Sequence, residues 1–409
     1  MTAGVRAVVT GIGAVTPCGL DAKTTWDAIV SGRSAIRALE GVDVSDLAVS
    51  VGGEVRGFDP LAHVSRSDSR RLDPHALYAI AAAHEAMDGV TPIDPDRFGV
   101  TVATGSGALT LTQNAVRTLD DQGPRRIPPG VVVYGGPDAA AAYLSQHYDA
   151  RGASVGLSAT CASGTVALGE ALRTIRHGYV DAVLVVGADD CLNRVNLAVN
   201  SMLGALAPGY DDDPSGASRP FDRGRSGFVM SAGAVALLVE SEDHAARRDA
   251  SVLGEIVGYG VSSDAHHPTA PRPDSRGAIS AMRGALDDAR LTSDAVDHVN
   301  AHGTGTPLND AMEARALREI FGDSVGSVPV TSTKSTTGHL LGAAGTLEAA
   351  VSLLSMRDGT IPPTINLDDL EFPELDVVAH EARPASVRTV LTNSFGFGGH
   401  NASLVLRTL

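Results

Sequence analysis

Apolar positions recur along the chain in two rhythms. Short unbroken apolar runs at 6–9, 98–104, 181–187 and 231–240 predict buried strands. Apolar residues spaced by three and four predict helices. One helix opens at Asp21 and carries Trp26 and Ile29; another takes Asp73 as its cap and Pro74 as its first residue, and stays Ala-rich to Met87. Within 155–178 a short apolar start gives way to small residues, Ser158 to Gly164, and then to Leu168, Leu172 and Ile175 at i, i+4 and i+7. Arg173, Arg176 and His177 fall in the last turn of that helix, and Gly178 stops it. Residues 42–64 and 211–225 read as loops, and 123–136 as a long Pro/Gly loop forming a rim or a subunit contact.

Near residue 252 the pattern starts again. EIVGYGVSSDAH from Glu255 echoes VVTGIGAVTPCG from Val8, and GAISAMRGALDDARL from Gly277 matches the helix at 76–88. AGTLEAAVSLLSMRDG from Ala344 overlays SGTVALGEALRTIRHG from Ser163 without a gap. Self-similarity of this kind decides architecture. It predicts an α/β protein built from two duplicated halves, 1–252 and 253–409, with mostly parallel sheets covered on their faces and the two equivalent helices buried between the halves.

The strand-to-helix turn at Cys161 is the first candidate for chemistry. Backbone N–H groups and the positive end of a helix dipole converge there, and both favour a thiolate. The plain alternative is a buried structural cysteine. The second half supplies three more glycine-rich turns: VNAHGTGTPLND with His302 and a helix after Asp310, STKSTTGHLLGAAGT with Lys334 and His339, and NSFGFGGHN with Phe397. Duplication sets the His339 turn opposite the Cys161 turn, so one thiol and two imidazoles can converge. Three other motifs fail on context. The GIG turn near Gly11 lacks the third glycine of a dinucleotide fingerprint, having Thr16 there and Pro17 next. GASVG at 152–156 has its strand after Ser154, where a nucleophile elbow needs a helix. His298 and His302 come without HExxH or CxxC spacing, so no metal site is read.

Composition narrows the partners. The net charge of −16 argues against nucleic acid, and Lys23 and Lys334 are the only lysines. Cys18, Cys161 and Cys191 are too few for a disulfide framework, no apolar run is long enough to span a membrane, and a cytoplasmic protein is expected. Arg66, Arg70 and Arg71, with Arg125 and Arg126, are basic spots on an acidic chain; they are solvated charge or a dock for an acidic partner.

Taken together, TCASG at Cys161, HGTGTP at His302, KSTTGH at His339, GFGGHN ending at Asn401 and RPFDRGRSGF at 219–228 resemble the β-ketoacyl-acyl-carrier-protein synthases of the elongating, KAS I/II-like type. These include fatty-acid condensing enzymes and the ketosynthase subunits of type II polyketide systems. The resemblance implies a thiolase-like fold of five layers, αβαβα. It implies that Cys161 takes an acyl group from a carrier-protein thioester, and that the N–H groups of Cys161 and Phe397 form its oxyanion hole. His302 and His339 would hold a malonyl thioester carbonyl, with Lys334 and Glu348 organising His339. Thr304 and Thr306 would bind the phosphopantetheine arm, which belongs to the substrate, so no diffusible cofactor is implied. Ala108, Phe228, Phe395 and Gly398 fall at substrate-binding positions, and the five arginines at positions that face an acyl carrier protein. A homodimer, or a heterodimer with a chain-length factor, is expected.

The sequence also departs from the family pattern. Ala159 and Thr160 stand in the reverse of the common order, His400 replaces a threonine, and Ala232 replaces a common acidic residue. Ala108 stands where a larger aliphatic residue is frequent, which implies a wider acyl pocket and leans toward the polyketide setting. The alternatives are housekeeping fatty-acid elongation, a non-catalytic chain-length subunit, which would lack the cysteine, and a thioester hydrolase, which would release free acid.

Overall fold

The two halves lay down their strands in one spatial order. In the computed structural model, which describes residues 5–409, the first half runs 154–157, 98–103, 182–189, 233–241, 7–15 across its sheet. The second half runs 329–331, 298–300, 389–396, 400–407, 254–263, with a short strand at 376–377 added outside. Each half pairs its first three strands parallel and the next two antiparallel. The sheets are therefore mixed, and the expectation of mostly parallel pairing is corrected. One antiparallel pair is a direct hairpin, 389–396 with 400–407, closed by three residues; the others pair strands distant in the chain, as 7–15 with 233–241 and 400–407 with 254–263. The innermost strands, 7–15 and 254–263, pair over Ala7–Val9 and join the halves into one eleven-stranded sheet.

The helix Ser163–Arg176 and its counterpart Ala344–Asp358 lie in the middle layer, sharing one core with both sheets. Leu168, Leu172 and Ile175 have no exposed surface there, each burial contributing about 1.5–3 kcal/mol. Residues 344–356 are buried all round, which is why that helix shows no polar stripe. Outside, Pro74–Ala86 and Ala139–His147 cover the first sheet, and Arg276–Ala289 covers the second, with Pro307–Phe321 beside it. That is five layers. Gly178 ends its helix at φ +71°, and Asp73 caps the helix that Pro74 begins, as the sequence predicts.

Two local expectations change. The Pro/Gly segment 123–136 contains a 3-10 turn at Pro124–Arg126 and a short helix at Val131–Tyr134, whose Val132 is 87% exposed. The helix after His302 begins at Pro307, not beyond Asp310: Thr306 caps it by accepting from the Asn309 N–H, which places Asp310 inside the first turn. No helix among the described residues is long and apolar enough to cross a membrane.

Candidate active site

Cys161, His302, His339 and Phe397 all follow the C-terminal ends of strands, the edge where α/β sheets gather their sites. Cys161 sits in the 3-10 turn Thr160–Ala162 that leads into the helix at Ser163. The turn is a sharp elbow, with Thr160 at φ +50°, a left-handed conformation costing a β-branched residue on the order of 1–3 kcal/mol. Ser163 braces it, accepting from the Ala159 N–H at 2.8 Å and donating to the Thr160 carbonyl at 2.6 Å. The duplicated half repeats the elbow at Leu341–Ala343, where Leu341 has φ +47° and Gly342 occupies the place of the cysteine.

His302 is held from below. Glu313 accepts from the backbone N–H of His302 at 2.9 Å and of Gly303 at 2.8 Å. The Lys334 ammonium donates to the His302 carbonyl at 2.6 Å, lies 3.4 Å from Nδ1 and pairs with Glu348. A cation at Nδ1 makes that atom the acceptor and leaves Nε2 carrying the proton. The expectation that Lys334 and Glu348 organise His339 is thus corrected: both serve His302. The His339 backbone is instead clamped to the first half, its N–H donating to Val229 at 2.7 Å and its carbonyl accepting from Ser231 at 3.0 Å. Its ring meets His302 and Phe228 edge-on at centroid distances of 5.3 Å, and neither ring nitrogen has a partner among the described residues.

The thiol and the imidazoles meet. One donor atom from each of Cys161, His302 and His339 lies within 4.8 Å of the others. Burial pushes the Cys161 thiol up to about 12, against the pull of Lys334 and of the backbone N–H groups of Phe397 and Cys161 itself. The pull toward thiolate expected at this helix start is therefore outweighed by solvent exclusion. Burial first and Lys334 second hold both imidazoles well below their ordinary range, so they are neutral. Three such donors have a metal-like spacing, but a protonated sulfur beside the Lys334 ammonium disfavours a cation.

A cavity of about 320 Å³ opens from the surface onto these groups. Thr304 and Thr306 line it with hydroxyls 3.0 Å apart, Phe228, Phe395 and Phe397 line it with rings, and Leu203 and Leu308 stand exposed along it. Phe397 begins the turn closing the 389–407 hairpin, which Gly398 and Gly399 make possible at φ +83° and +75°. Gly398 donates to the Pro268 carbonyl and is not in the cavity wall. Ala108 is buried at the start of the helix Leu109–Gln122 and is likewise outside this cavity. His400 is exposed with its ring against Gly398, and Ala232 is core. Arg66, Arg70, Arg71, Arg125 and Arg126 are exposed and form no ion pair among the described residues.

Two supports escaped the sequence. Glu313 and Asp310 are buried acids three apart on one helix, and Asp310 accepts from Phe221 and Gly305. Asp189 accepts from Thr104, Gly105, Ser106 and Gly342, tying the two halves behind the elbow. Acidic residues on otherwise apolar faces were the available signal.

Comparison with known proteins places this geometry. Residues 6–245 match the family described as Beta-ketoacyl synthase, N-terminal domain, and 253–368 match Beta-ketoacyl synthase, C-terminal domain. A 3-oxoacyl-[acyl-carrier-protein] synthase 2 of Staphylococcus aureus (strain MRSA252) is 40% identical over 413 residues, covering 100% of this chain and 99% of its own. Among solved structures, the ishigamide ketosynthase/chain length factor aligns at a TM-score of 0.92 with 32% identity, covering 100% of both chains. A type II PKS acyl-carrier protein in complex with its ketosynthase bound to the hexaketide aligns at 0.91 with 28% identity, again over 100% of both chains. With the fold, the motifs and these likenesses in agreement, the chain belongs to the β-ketoacyl synthase family of condensing enzymes.

Proposed function

We propose that this protein performs decarboxylative Claisen condensation on carrier-protein thioesters, with Cys161 as nucleophile. The observation that carries the reading is the convergence of Cys161, His302 and His339 within 4.8 Å at the end of one cavity. A neutral imidazole takes the thiol proton, and the sulfur adds to the acyl thioester carbonyl. The N–H groups of Cys161 and Phe397 hold the oxyanion; the carrier thiolate then leaves with the proton. Malonyl thioester next places its carbonyl against the two histidines. Both ring nitrogens of His339 lack a partner among the described residues and match a ligand oxygen, and His302 Nε2–H is a donor by the Lys334 argument. Carbon dioxide departs, leaving its bonding pair in an enolate on that oxygen. The enolate carbon attacks the acyl-Cys161 carbonyl, the sulfur leaves, and the β-ketoacyl chain is two carbons longer. Thr304 and Thr306 hydrogen-bond the pantetheine arm along the wall.

The acidic carrier protein docks on the five free arginines. A second subunit covers the exposed edge strand at 154–157 and the apolar residues around Val132. Type II polyketide assembly is our preferred setting, on the likeness to the ishigamide and hexaketide-bound ketosynthases. The 40% identical Staphylococcus aureus relative supports fatty-acid elongation as the second reading. The test is incubation with an acyl-carrier and then a malonyl-carrier thioester, followed by mass spectrometry. The expected result is an acyl adduct on the Cys161 peptide and a β-ketoacyl product. Free acid, or an adduct on Cys18 or Cys191, would overturn it.

A further inference from the structure

The residue before the nucleophile is at once strained and hydrogen-bonded, and both features concern Phe397. Thr160 Oγ1 donates to the Phe397 carbonyl at 2.8 Å. The backbone N–H of the same residue, Phe397, is near enough to the Cys161 sulfur to pull the thiol pKa down. Adjacent residues of the elbow thus lie against the carbonyl and the N–H of one residue in the facing turn. The approach is close: a Cβ on Gly396 would collide with Thr160 Oγ1 and lie 3.1 Å from the Cys161 nitrogen. The turn is glycine on both sides of Phe397, Gly396 before it and Gly398 and Gly399 after; besides Thr160, the peptide carrying the Phe397 carbonyl is held by its Gly398 N–H, which donates to the Pro268 carbonyl at 2.7 Å. In the duplicated elbow the corresponding residue is Leu341, which has no hydroxyl, and Gly342 replaces the nucleophile. The left-handed hydroxyl therefore accompanies the reactive elbow and is missing from its silent copy.

We propose that Thr160 is a positioning residue: its hydroxyl holds the Phe397 carbonyl and so restrains the backbone rotation of Phe397 that would swing its N–H away from the oxyanion formed on Cys161. The inference rests on the proposed roles of Cys161 and Phe397. It requires that Thr160 serve acyl transfer and condensation, which build charge at that oxyanion. Decarboxylation of a malonyl thioester places its charge between His302 and His339 and does not call on Thr160. Reorienting a donor costs less than deleting one, so an effect of about 10- to 30-fold is expected, below the roughly 10²–10³ of outright removal.

The test compares wild type with Thr160→Ser, Thr160→Ala and Thr160→Val in two assays. One is the single-turnover rate of Cys161 acylation by an acyl-carrier thioester, followed by mass; the other is carbon dioxide release from malonyl-carrier protein. The expected result is that Ala and Val slow acylation about 10- to 30-fold, Ser stays within about threefold of wild type, and carbon dioxide release changes less than about twofold throughout. The alanine variant keeps the test decisive should valine fail to fold, since it adds no bulk. Unchanged acylation in the alanine variant overturns the proposal. So does parallel loss of both activities with no rescue by serine, which marks a hydroxyl needed only for folding. A wild type that never acylates at Cys161 overturns the underlying reading instead, and the two failures are told apart by that control.

Discussion

Lys334 is the buried one of only two lysines, with 2% of its surface exposed, and it joins His302 to Glu348. Removing one member of a buried pair leaves the other charge without compensation, at about 3–5 kcal/mol; replacing both with apolar groups is often close to neutral. Lys334→Met should therefore lower unfolding stability by about that amount. Lys334→Met with Glu348→Leu should regain most of it, while both variants lose condensation; denaturant titration beside a product assay checks this. Equal stability losses in the single and double variants would show that the pair has no mutual compensation to lose. The sequence supplies these residues but misassigns their target. The link to His339 is what the family resemblance implies; Lys334 is thirty-two residues from His302, and only the fold brings those two together. The protonated thiol is not legible in the sequence for a related reason. A helix start is visible in residue spacing, whereas exclusion of water depends on what the second half packs over the elbow.

Elements bring the two halves' turns together through glycine. The middle-layer helices touch at their N-termini, where a Cβ on Gly164 would lie 2.7 Å from the Thr346 nitrogen. A Cβ on Gly345 would meet Thr165 in the same crowded crossing. Gly345→Val is expected to cost about 1–3 kcal/mol by overpacking and to displace the Cys161 elbow from His339. Denaturant unfolding reads the first effect, and slowed cerulenin labelling of Cys161 reads the second. Labelling at the wild-type rate would show that the elbow does not depend on this contact. The gapless repeat at Ser163 and Ala344 made the buried helix pair legible, and the family resemblance supplied the five layers. The mixed sheet was not legible, because strand direction follows from how each chain segment returns, which apolar runs do not encode. Glu313 and Asp189 were missed because each acts on backbone N–H groups distant in sequence.

At the scale of the molecule, charge is unevenly spent. The chain carries −16 overall, yet Arg66, Arg70, Arg71, Arg125 and Arg126 stand exposed without ion-pair partners among the described residues. Surface charge acts mainly on encounter and is screened by salt. Arg70→Glu with Arg71→Glu should raise KM for carrier-bound substrates by about tenfold, flatten its salt dependence, and leave turnover of a small thioester analogue intact. Equal losses on both substrates would place the damage in the fold and not in a dock. Basic residues are easy to see in the sequence; their exposure is not, and only the fold shows all five outside the ion-pair network.

The central claim is a division of labour: sulfur holds the growing chain, and two neutral imidazoles stabilise the enolate. The most direct measurement is to compare Cys161 acylation with carbon dioxide release in His302→Ala and His339→Ala. Both variants should still load an acyl group on Cys161, and each should release carbon dioxide from malonyl-carrier protein about 10²–10³ slower than wild type. Decarboxylation at the wild-type rate in either variant would contradict the account.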